Sequence, residues 1–390
     1  MRTQVGILGA GPAGLLLGHL LHLAGIDSVI LEAHTRAHVE SRIRAGVMEH
    51  QAAELLRAAG VGARMDREGL LHHGVVLRFG GASHRIDLAT LAGKSIMVYG
   101  QHQVVRDLIA ARLAAGLPLL FEAQATAIDG VLGDAPRIAF RHDGAERMLD
   151  CDIIAGCDGF HGISRAAMPA GLPRAFECSY PFGWLGILAE VAPASQELVY
   201  ASHERGFALL SMRSPTLSRL YLQVAPDEDV AQWPNARIWD ELRLRLADEA
   251  GFALPEGPIL QKSVTAMRSY VAEPMRAGRL CLLGDAAHIV PPTGAKGMNL
   301  AFADVAVLAR ALHSWFARGD ATLLDAYSDT ALRRVWKAER FSWWLTSLLH
   351  RFDSHGPFER RMQLAELDYI TSSVAGATAL AENYVGLPVG

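Results

Sequence analysis

The sequence predicts an α/β protein in three parts: a Rossmann-like domain, a mainly β region and a helical C-terminal part. Three patterns support this fold class. The chain begins with an apolar run, a glycine-rich turn and a leucine-rich stretch. Residues 180–224 have the texture of short alternating strands, and residues beyond Asn299 follow a helical pattern. This order indicates a nucleotide domain first, a mainly β domain next and helices last.

The nucleotide domain is predicted from its first elements. Residues 4–8 are typical of a buried strand, and residues 9–14 follow as Gly-Ala-Gly-Pro-Ala-Gly. Residues 15–24 predict a helix, and residues 28–31 predict a second buried strand that ends in Glu32. Strand, glycine turn, helix, strand and terminal acid within about 30 residues form the dinucleotide-binding βαβ unit with its GxGxxG motif.

The glycines of this unit have separate purposes. Gly9, Gly11 and Gly14 provide the tight turn, the close approach of a pyrophosphate and close helix packing. The helix N-terminus then faces the phosphates, and Glu32 can accept a hydrogen bond from a ribose hydroxyl. The alternative, an ordinary glycine-rich turn, is weaker because the whole strand and helix context is present.

Further along the chain, two acidic turns follow apolar strands. Residues 148–155 predict a strand before Asp158, and residues 279–283 predict one before Asp285. Ligands bind beyond the carboxyl ends of strands in open α/β sheets, so both acids are candidates for ribose or ribityl hydroxyls. A helix N-cap is an equal alternative at Asp158. Asp285 is better supported, because residues 291–297 follow with prolines and glycines.

Two helical stretches lie between these motifs. Residues 103–115 look helical, and residues 227–250 form an acidic helical stretch that contains tryptophan.

Composition excludes several classes of function. The 390 residues are 51% hydrophobic with a net charge of −4, which argues against binding to nucleic acid or to anionic membranes. The four cysteines show no C-x-x-C spacing, so we expect neither a disulfide scaffold nor a metal cluster. Glycines interrupt the N-terminal apolar stretch. We therefore expect a soluble, unprocessed, cytoplasmic protein.

These motifs together resemble the single-component FAD-dependent aromatic hydroxylases. The resemblance rests on the glycine turn, Glu32, Cys157-Asp158-Gly159 and Gly284-Asp285. The resemblance spans essentially the whole chain. It narrows to the hydroxylases of 4-hydroxybenzoate through six stretches: 42–46, 157–165, 180–186, 284–299, 337–344 and 382–388. It implies FAD as cofactor, with O2 and NADPH or NADH as co-substrates. The implied reaction is hydroxylation of 4-hydroxybenzoate to 3,4-dihydroxybenzoate by way of a flavin hydroperoxide.

The resemblance also implies a division of the chain and an assembly. Residues 1–174 would form the FAD-binding domain, with strands near 72–98 joining the substrate region. Residues 175–278 would form a β-rich substrate-binding domain, and residues 279–390 a second FAD motif with a helical interface region. A homodimer is implied, and Trp343 and Trp344 are left as core or dimer contacts.

A hairpin offers a site for an organic anion. Residues 207–213 and 219–225 predict strands joined by the five-residue loop 214–218. In simple register Arg213 lies opposite Arg219, which is unfavourable unless an anion lies between them or geometry separates them. From the residues alone, a solvated polar face is the better interpretation.

The resemblance reverses that balance and assigns roles around the substrate. It implies that Ser211, Arg213 and Tyr221 hold the substrate carboxylate and that Arg219 acts electrostatically near the flavin. It also implies a proton relay. In this relay Tyr200 would contact the phenol oxygen, Tyr384 would pass the proton on, and His72 would connect to solvent. The carbonyl of Pro292 would accept the phenol hydrogen bond. Without the resemblance, the tyrosines would be ordinary half-buried aromatics and the histidine a surface residue.

The cofactor contacts are likewise implied by the resemblance. Those for FAD are Gly9, Gly11, Gly14, Glu32, Arg42, Arg44, Gln101, Arg219, Asp285, Lys296 and Asn299. Those for NAD(P)H are Arg44, His161 and Arg268. Lys296 would add positive potential near the flavin. Ala33 and His34 depart from the pattern of NADPH-preferring relatives, so the choice between NADPH and NADH stays open.

Two alternatives accompany the main hypothesis. A hydroxylase of the same fold could act on another isomer of hydroxybenzoate. A non-catalytic binding protein with a nucleotide fold belongs to a different class, and the density of candidate site residues argues against it.

Overall fold

The computed structural model describes residues 1–42 and 46–387. Its strands are β1 (Val5–Leu8), β2 (Ser28–Leu31), β3 (Val47–Met48), β4 (Leu70–His72), β5 (Gly74–Phe79), β6 (Ala82–Asp87), β7 (Ile96–Val98), β8 (Leu119–Leu120), β9 (Gln124–Asp129), β10 (Arg137–His142), β11 (Ala145–Asp150), β12 (Ile153–Gly156), β13 (Arg174–Ala189), β14 (Val199–Ala201), β15 (Ala208–Ser214), β16 (Leu217–Val224), β17 (Ile259–Glu273), β18 (Arg276–Ala277), β19 (Leu280–Leu282) and β20 (His288–Ile289). Its helices are α1 (Pro12–Leu23), α2 (Arg36–Ser41), α3 (His50–Ala58), α4 (Ala63–Glu68), α5 (Leu88–Ala92), α6 (Gln101–Ala114), α7 (Asn235–Arg245), α8 (Gly297–Arg318), α9 (Thr322–Asp325), α10 (Tyr327–Leu349), α11 (Pro357–Ser372) and α12 (Val374–Val385).

A mainly parallel sheet forms the nucleotide domain, as the sequence predicts. Its order is β18-β19-β12-β1-β2-β8, and all neighbours except β18 and β19 run parallel. Every residue of β1, β2 and β12 is buried, which explains their continuous apolar runs. Buried Arg112 of α6 donates to the carbonyl oxygens of Ser28 and Pro118 at 2.6 and 2.9 Å, tying the helix to the strand edge.

The second large sheet carries the mainly β region. Its order is β20-β17-β13-β16-β15-β14-β5-β6 among the described strands, so β5 and β6 from the first part of the chain complete it. The prediction of short strands in this region is partly wrong. β13 has 16 residues because it pairs along its whole length with β17 and, over its second half, also with β16.

A smaller correction concerns residues 148–155, which the sequence predicts as one strand. The structure has two strands, because β11 pairs antiparallel with β10 and β12 pairs parallel with β1 in a different sheet. The break at Cys151 and Asp152 lets the chain pass from one sheet to the other. Similarly, only α7 within residues 227–250 is an α-helix.

The C-terminal helices return the chain to the second sheet. Residues of α10, α11 and α12 share a buried cluster with residues of β5, β14 and β15. Helix α8 is long and apolar enough to cross a bilayer by length and composition, but 61% of that window is buried inside the fold. Core helices of globular proteins pass the same test.

Candidate active site

Of the three glycines in the turn, only Gly11 has room for a side chain. Gly9 has φ +95°, and a Cβ on Gly14 would lie 2.0 Å from the Gly9 carbonyl oxygen. By contrast, a Cβ on Gly11 would have no described heavy atom within 4 Å. Gly11 is also the N-cap residue of α1, with Pro12 at the first helical position. The turn is therefore a cradle at a helix N-terminus, which fits the pyrophosphate of a dinucleotide.

Glu32 is fixed beside this turn. Its buried carboxylate accepts hydrogen bonds from the backbone N–H of Ala10 at 2.7 Å and of His34 at 2.9 Å. The His34 ring also lies 2.9 Å from Glu32 Oε1. Each carboxylate oxygen has two lone pairs, so capacity for a ribose hydroxyl remains.

The second acidic turn is braced from inside the fold. Asp285 is exposed, whereas its neighbour Gly284 donates its N–H to Asp304 Oδ2 at 2.9 Å. His288 Nε2 lies 2.7 Å from the same oxygen. Burial opposes the charge on His288, but the Asp304 carboxylate outweighs it and raises the pKa of the ring. A buried ion pair thus holds the turn that presents Asp285.

The first acidic turn is braced by Asp158. Its carboxylate accepts the backbone N–H of Ser164 at 2.9 Å and also the Ser164 hydroxyl. Asp158 is nevertheless not a helix N-cap, because Ser164 is the N-cap residue of the short helix that follows at Arg165–Ala167. A contact between Asp158 and a ligand stays a prediction.

Lys296 and Asn299 connect the start of α8 to other segments. Lys296 Nζ is buried, 2.7 Å from Glu49 Oε1, and donates to the carbonyl oxygens of Asn383 and Tyr384 at 2.5 and 3.1 Å. Burial lowers the pKa of Lys296, and Glu49 opposes that shift. The Asn299 amide bonds with three backbone groups, those of Glu49, Val47 and Ala295. Both side chains thus bind the protein itself.

Helix α2 packs against α6, and Gly46 lies beside the start of α6. Arg42 is the C-cap residue of α2, and Gln101 is the first residue of α6. Tyr99 donates its N–H to the Gly46 carbonyl at 2.7 Å, and a Cβ on Gly46 would lie 2.6 Å from the Gly100 Cα. The predicted contact residue Arg44 lies outside the described residues.

The two described residues predicted for NAD(P)H meet around one aromatic ring. The Phe160 ring lies 5.2 Å from the His161 ring and 4.7 Å from the Arg268 guanidinium carbon. Arg165 stacks on the same ring at 4.6 Å and donates to the Phe160 carbonyl at 2.6 Å. The sequence does not predict a role for Arg165, although this residue ends the stretch 157–165 that carries the resemblance. His161 and Arg268 are exposed, so a visiting molecule can reach them.

The hairpin β15–β16 corrects the predicted register. Ser214 pairs with Leu217, so the turn has two residues, not five. Ser211, not Arg213, lies opposite Arg219: the tighter turn shifts the register by one residue, and a bulge after Met212 shifts it by one more and displaces Arg213 from the ladder. The turn and the bulge together remove the direct opposition of the two arginines that simple pairing predicts.

The structure nevertheless brings the predicted carboxylate ligands together. Arg213 Nη1 lies 3.2 Å from Ser211 Oγ, and Arg213 Nη2 lies 3.4 Å from the Tyr221 hydroxyl. Ser211 in turn donates to the Arg219 carbonyl at 2.8 Å. Gly186, which the sequence does not single out, makes room for this group. A Cβ there would lie 2.7 Å from Arg219 Nη2.

These two guanidinium groups have donors to spare. Arg213 Nε and Arg219 Nη1 are buried and find no hydrogen-bond partner within residues 1–42 and 46–387. Burial, with the nearby Arg219 charge, lowers the pKa of Arg213. Although burial opposes it, the two cations lower the pKa of Tyr221. Unmatched buried donors on two cations are the chemistry that an organic anion would complete.

Tyr200 and Tyr384 form a buried pair. Their hydroxyl oxygens are 2.6 Å apart, although β14 and α12 lie far apart in the sequence. Burial raises the pKa of both, so each hydroxyl keeps its proton at neutral pH. A hydrogen-bonded pair of neutral hydroxyls can pass a proton from one oxygen to the other.

Pro292 lies in a single turn at Pro292–Gly294, with its carbonyl accepting the Ala295 N–H at 3.0 Å. A carbonyl oxygen has two lone pairs, so a second hydrogen bond is available there. Ala295 has φ +53°, a left-handed conformation that strains a residue with a Cβ.

His72 is buried rather than directed towards solvent. Its side chain is 2% exposed, and neither ring nitrogen has a partner among the described residues. Burial lowers the pKa of His72 to about 4, with Glu197 opposing the shift. The described part of the chain also contains no hydrogen bond from His72 to Tyr200 or Tyr384. The expectation of a solvent-connected imidazole therefore needs correction for this conformation.

The open space at Gly11 generates a first prediction. Gly11→Ala should weaken FAD binding by the apoprotein roughly ten-fold or more, since the methyl group occupies the approach to the helix N-terminus. The free energy of unfolding of the apoprotein should stay within about 0.5 kcal/mol, because φ −74° suits alanine. Flavin fluorescence and denaturant unfolding measure these quantities. Gly14→Ala, the control, should reduce both the FAD affinity and the free energy of unfolding. Wild-type FAD affinity in Gly11→Ala would show that the pyrophosphate does not bind at this turn.

The burial of His72 generates a second prediction, about pH. A histidine with a depressed pKa in the folded state stabilises the protein above pH 6.5 and loses that contribution as pH falls towards 4. From pH 7 to pH 5 this loss is about 2 kcal/mol. In His72→Phe, the fall in unfolding free energy over this range should be smaller by that amount. His73→Phe, an exposed neighbour, is the control, and parallel profiles for wild type and His72→Phe would refute the shift.

Comparisons with known proteins agree with this geometry. Residues 2–342 match the family described as FAD binding domain. The chain is 50% identical over 389 residues to the p-hydroxybenzoate hydroxylase of Acinetobacter baylyi, covering 100% of this chain and 96% of that protein. It is 28% identical over 334 residues to a 3-(3-hydroxy-phenyl)propionate/3-hydroxycinnamic acid hydroxylase of Burkholderia vietnamiensis, covering 79% of this chain and 56% of that protein.

Solved structures agree with the fold. The p-nitrophenol 4-monooxygenase of Pseudomonas putida superposes with a TM-score of 0.84 over 99% of both chains at 20% identity. The anhydrotetracycline hydroxylase of Streptomyces rimosus gives 0.76 over 99% of this chain and 76% of that chain, at 21% identity. At such identities the similarity shows the fold alone. Through the domain match and the full-length relative, the chain belongs to the FAD binding domain family and, within it, to the family of p-hydroxybenzoate hydroxylase.

Proposed function

We propose that this protein is an FAD-dependent monooxygenase that converts 4-hydroxybenzoate to 3,4-dihydroxybenzoate with O2 and NADPH or NADH. One observation carries the proposal: the unmatched donors of Arg213 and Arg219 and the hydroxyl pair Tyr200–Tyr384 border one aromatic cluster. A carboxylate suits the first group and a phenol the second. The relative at 50% identity supports the same substrate.

The residues of the glycine cradle fit FAD. Gly11 and the N-terminus of α1 would hold the pyrophosphate, Glu32 a ribose, and Asp285 with Arg42 and Gln101 the remaining polar groups. FAD, when bound, takes electrons from the nicotinamide and supplies the activated oxygen. For Lys296 and Asn299, contacts with the cofactor remain proposals, since their side chains bracket Glu49 in the structure.

Binding of the substrate would use the clamp at the hairpin. Arg213 would form paired hydrogen bonds with the carboxylate. Tyr221 would supply a further donor, and so would Ser211 once its hydroxyl turns away from the Arg219 carbonyl. Arg219 would add positive potential on the flavin side. At the other end of the ring, Tyr200 and the Pro292 carbonyl would contact the phenol oxygen. We expect the para isomer to reach both ends better than other hydroxybenzoates, because its carboxylate and its hydroxyl lie at opposite ends of the ring.

Deprotonation of the phenol would use the tyrosine pair. A phenolate is more electron-rich than a phenol, so loss of the proton prepares the ring for an electrophilic oxygen. Tyr200 would take the proton and Tyr384 would pass it on. We assign His72 the last position, where the unprotonated one of its two unpartnered nitrogens can accept a proton once water reaches the ring.

The remaining features of the proposal concern co-substrate and assembly. His161 and Arg268, joined on Phe160, would bind the phosphates of the visiting nicotinamide. A cytoplasmic homodimer agrees with free cysteines and with the exposed apolar residues Phe358, Met362 and Tyr369 of α11. We propose a division at residues 174 and 278, near the start of β13 and just after β18, with β5 and β6 joining the substrate region.

The decisive experiment measures NADPH and NADH oxidation by the flavin-loaded protein with and without 4-hydroxybenzoate. We expect strong stimulation and stoichiometric 3,4-dihydroxybenzoate. Parallel assays with 2- and 3-hydroxybenzoate test the alternative of another isomer. Absence of stimulation, or stimulation without a catechol product from any isomer, would refute the proposal.

The clamp generates a third prediction. Arg213→Ala should weaken binding of 4-hydroxybenzoate by about 2–5 kcal/mol, because it removes a buried charge-assisted pair. The neutral analogue 4-hydroxybenzamide should lose much less affinity. Titration of the flavin spectrum measures both dissociation constants, and Arg141→Ala, an exposed arginine, is the control. Equal losses for acid and amide would show that Arg213 does not read the carboxylate.

The tyrosine pair generates a fourth prediction. Tyr200→Phe should change 4-hydroxybenzoate affinity by less than about three-fold, because the clamp is intact. Product formed per NAD(P)H oxidised should fall while hydrogen peroxide rises, since the phenol keeps its proton. Tyr180→Phe, which removes a hydroxyl outside the pair, is the control. Wild-type product yield in Tyr200→Phe would place phenol activation elsewhere.

A further inference from the structure

Four aromatic rings form a stack behind the substrate hairpin. The His350 ring lies between Phe182 at 4.6 Å and Phe207 at 4.4 Å, with interplanar angles of 4° and 26°. Trp184 stacks on Phe207 at 5.2 Å and 12°. His350 is completely buried at the C-terminal end of α10. A polar ring at the centre of an apolar stack requires an explanation, because burying an unsatisfied polar group is costly.

Hydrogen bonds on both ring nitrogens provide it. Trp184 Nε1 donates to His350 Nε2 at 2.8 Å, so Nε2 carries no proton. The proton is then on Nδ1, which donates to the Thr346 carbonyl at 3.0 Å. Burial lowers the pKa of His350 to about 3, in agreement with a neutral acceptor. The ring therefore has one tautomer and one orientation, fixed by a strand on one side and a helix on the other.

The stack contacts both ends of the substrate site. Trp184 lies 4.8 Å from the Tyr221 ring of the carboxylate clamp. Phe207 lies 6.2 Å from the Tyr200 ring at the phenol end. His350 contacts both Trp184 and Phe207, and it accepts a hydrogen bond from Trp184. Its position therefore affects two contacts that the substrate makes at opposite ends.

The same helix end also reaches the third side of the site. Thr346, which accepts the His350 Nδ1 hydrogen bond through its carbonyl, donates its hydroxyl to Thr293 Oγ1 at 2.9 Å. Thr293 follows Pro292 directly in the chain. One turn of α10 thus connects the clamp, the tyrosine pair and the proline carbonyl.

We propose that His350 is a positioning residue that sets the separation between the carboxylate clamp and the tyrosine pair, and so selects the para isomer of hydroxybenzoate. This inference rests on the proposed function. Close-packed rings transmit a displacement rather than absorb it, so a shift of Trp184 moves Tyr221 relative to Tyr200. Errors of about 1 Å in such positioning are large in rate terms.

The test compares variants that break the Trp184–His350 hydrogen bond from either side. His350→Phe keeps a ring in the stack but leaves the Trp184 N–H without an acceptor. Trp184→Phe removes the donor and keeps an aromatic ring. The double variant removes both partners, which is less disruptive than leaving one unmatched. His355→Phe, an exposed histidine stacked on Phe352, is the control.

The readout is selectivity, measured as kcat/KM for 4-hydroxybenzoate relative to 3-hydroxybenzoate. We expect His350→Phe to lower this ratio roughly ten-fold, mainly through KM for the para isomer, with a changed tryptophan emission spectrum. The double variant should recover at least about three-fold of the ratio. The control should match wild type.

Two results would overturn the proposal. One is an unchanged ratio in His350→Phe, whether activity is retained or falls equally for both isomers, and the other is no recovery in the double variant. If His350→Phe does not fold, an unchanged ratio in Trp184→Phe overturns the proposal equally. Dissociation constants for the two isomers separate this inference from the proposed function, because they report positioning even if no hydroxylated product forms.

Discussion

Two buried guanidinium groups with hydrogen-bond donors left over are the constraint on which the substrate region depends. Arg213 and Arg219 share one face of a hairpin, and both have an unmatched nitrogen among the described residues. Like charges this close raise the energy of the folded protein unless something separates or neutralises them. The bulge after Met212 separates them, and Gly186 gives Arg219 space that any side chain would fill. The lowered pKa of Tyr221 has the same origin, because two cations favour its anion.

A second network connects the cofactor region to the phenol end. Glu49 pairs with Lys296 at 2.7 Å and with Arg334 at 2.5 Å, so one buried carboxylate matches two cations. Lys296 also holds the carbonyls at the end of α12, and Arg334 holds the carbonyl of Leu387. The end of the chain is thereby fixed next to the start of α8. Because Tyr384 belongs to that end, its backbone is held by Lys296, which pairs with the buried Glu49 carboxylate.

The sequence predicts local secondary structure well, and contacts between residues distant in the sequence poorly. Strand 28–31 has the predicted bounds, and the helix predicted at 15–24 is α1, because burial on both faces and the glycine turn leave clear patterns. The two strands of the hairpin lie close to the predicted ranges, but their register differs, since a bulge has no signature in a period of two. Tyr200 and Tyr384 lie 184 residues apart, so their pairing is predicted only through the resemblance to the hydroxylase family. The sequence does not single out His350, because nothing in the sequence distinguishes a buried, stacked histidine from one on the surface.

The protonation states of the buried groups limit how the proposed reaction can proceed. Burial raises the pKa of both tyrosines, so in the proposed reaction a substrate phenol held beside Tyr200 would lose its proton before either of them does. Tyr200 would then donate a hydrogen bond to the phenolate, and a proton arriving on it would leave again through Tyr384. His72 cannot retain that proton while its ring is dry, because burial lowers its pKa to about 4. In the proposed relay, release of the proton would therefore have to coincide with entry of water beside His72, so hydration of this ring would control the last proton transfer.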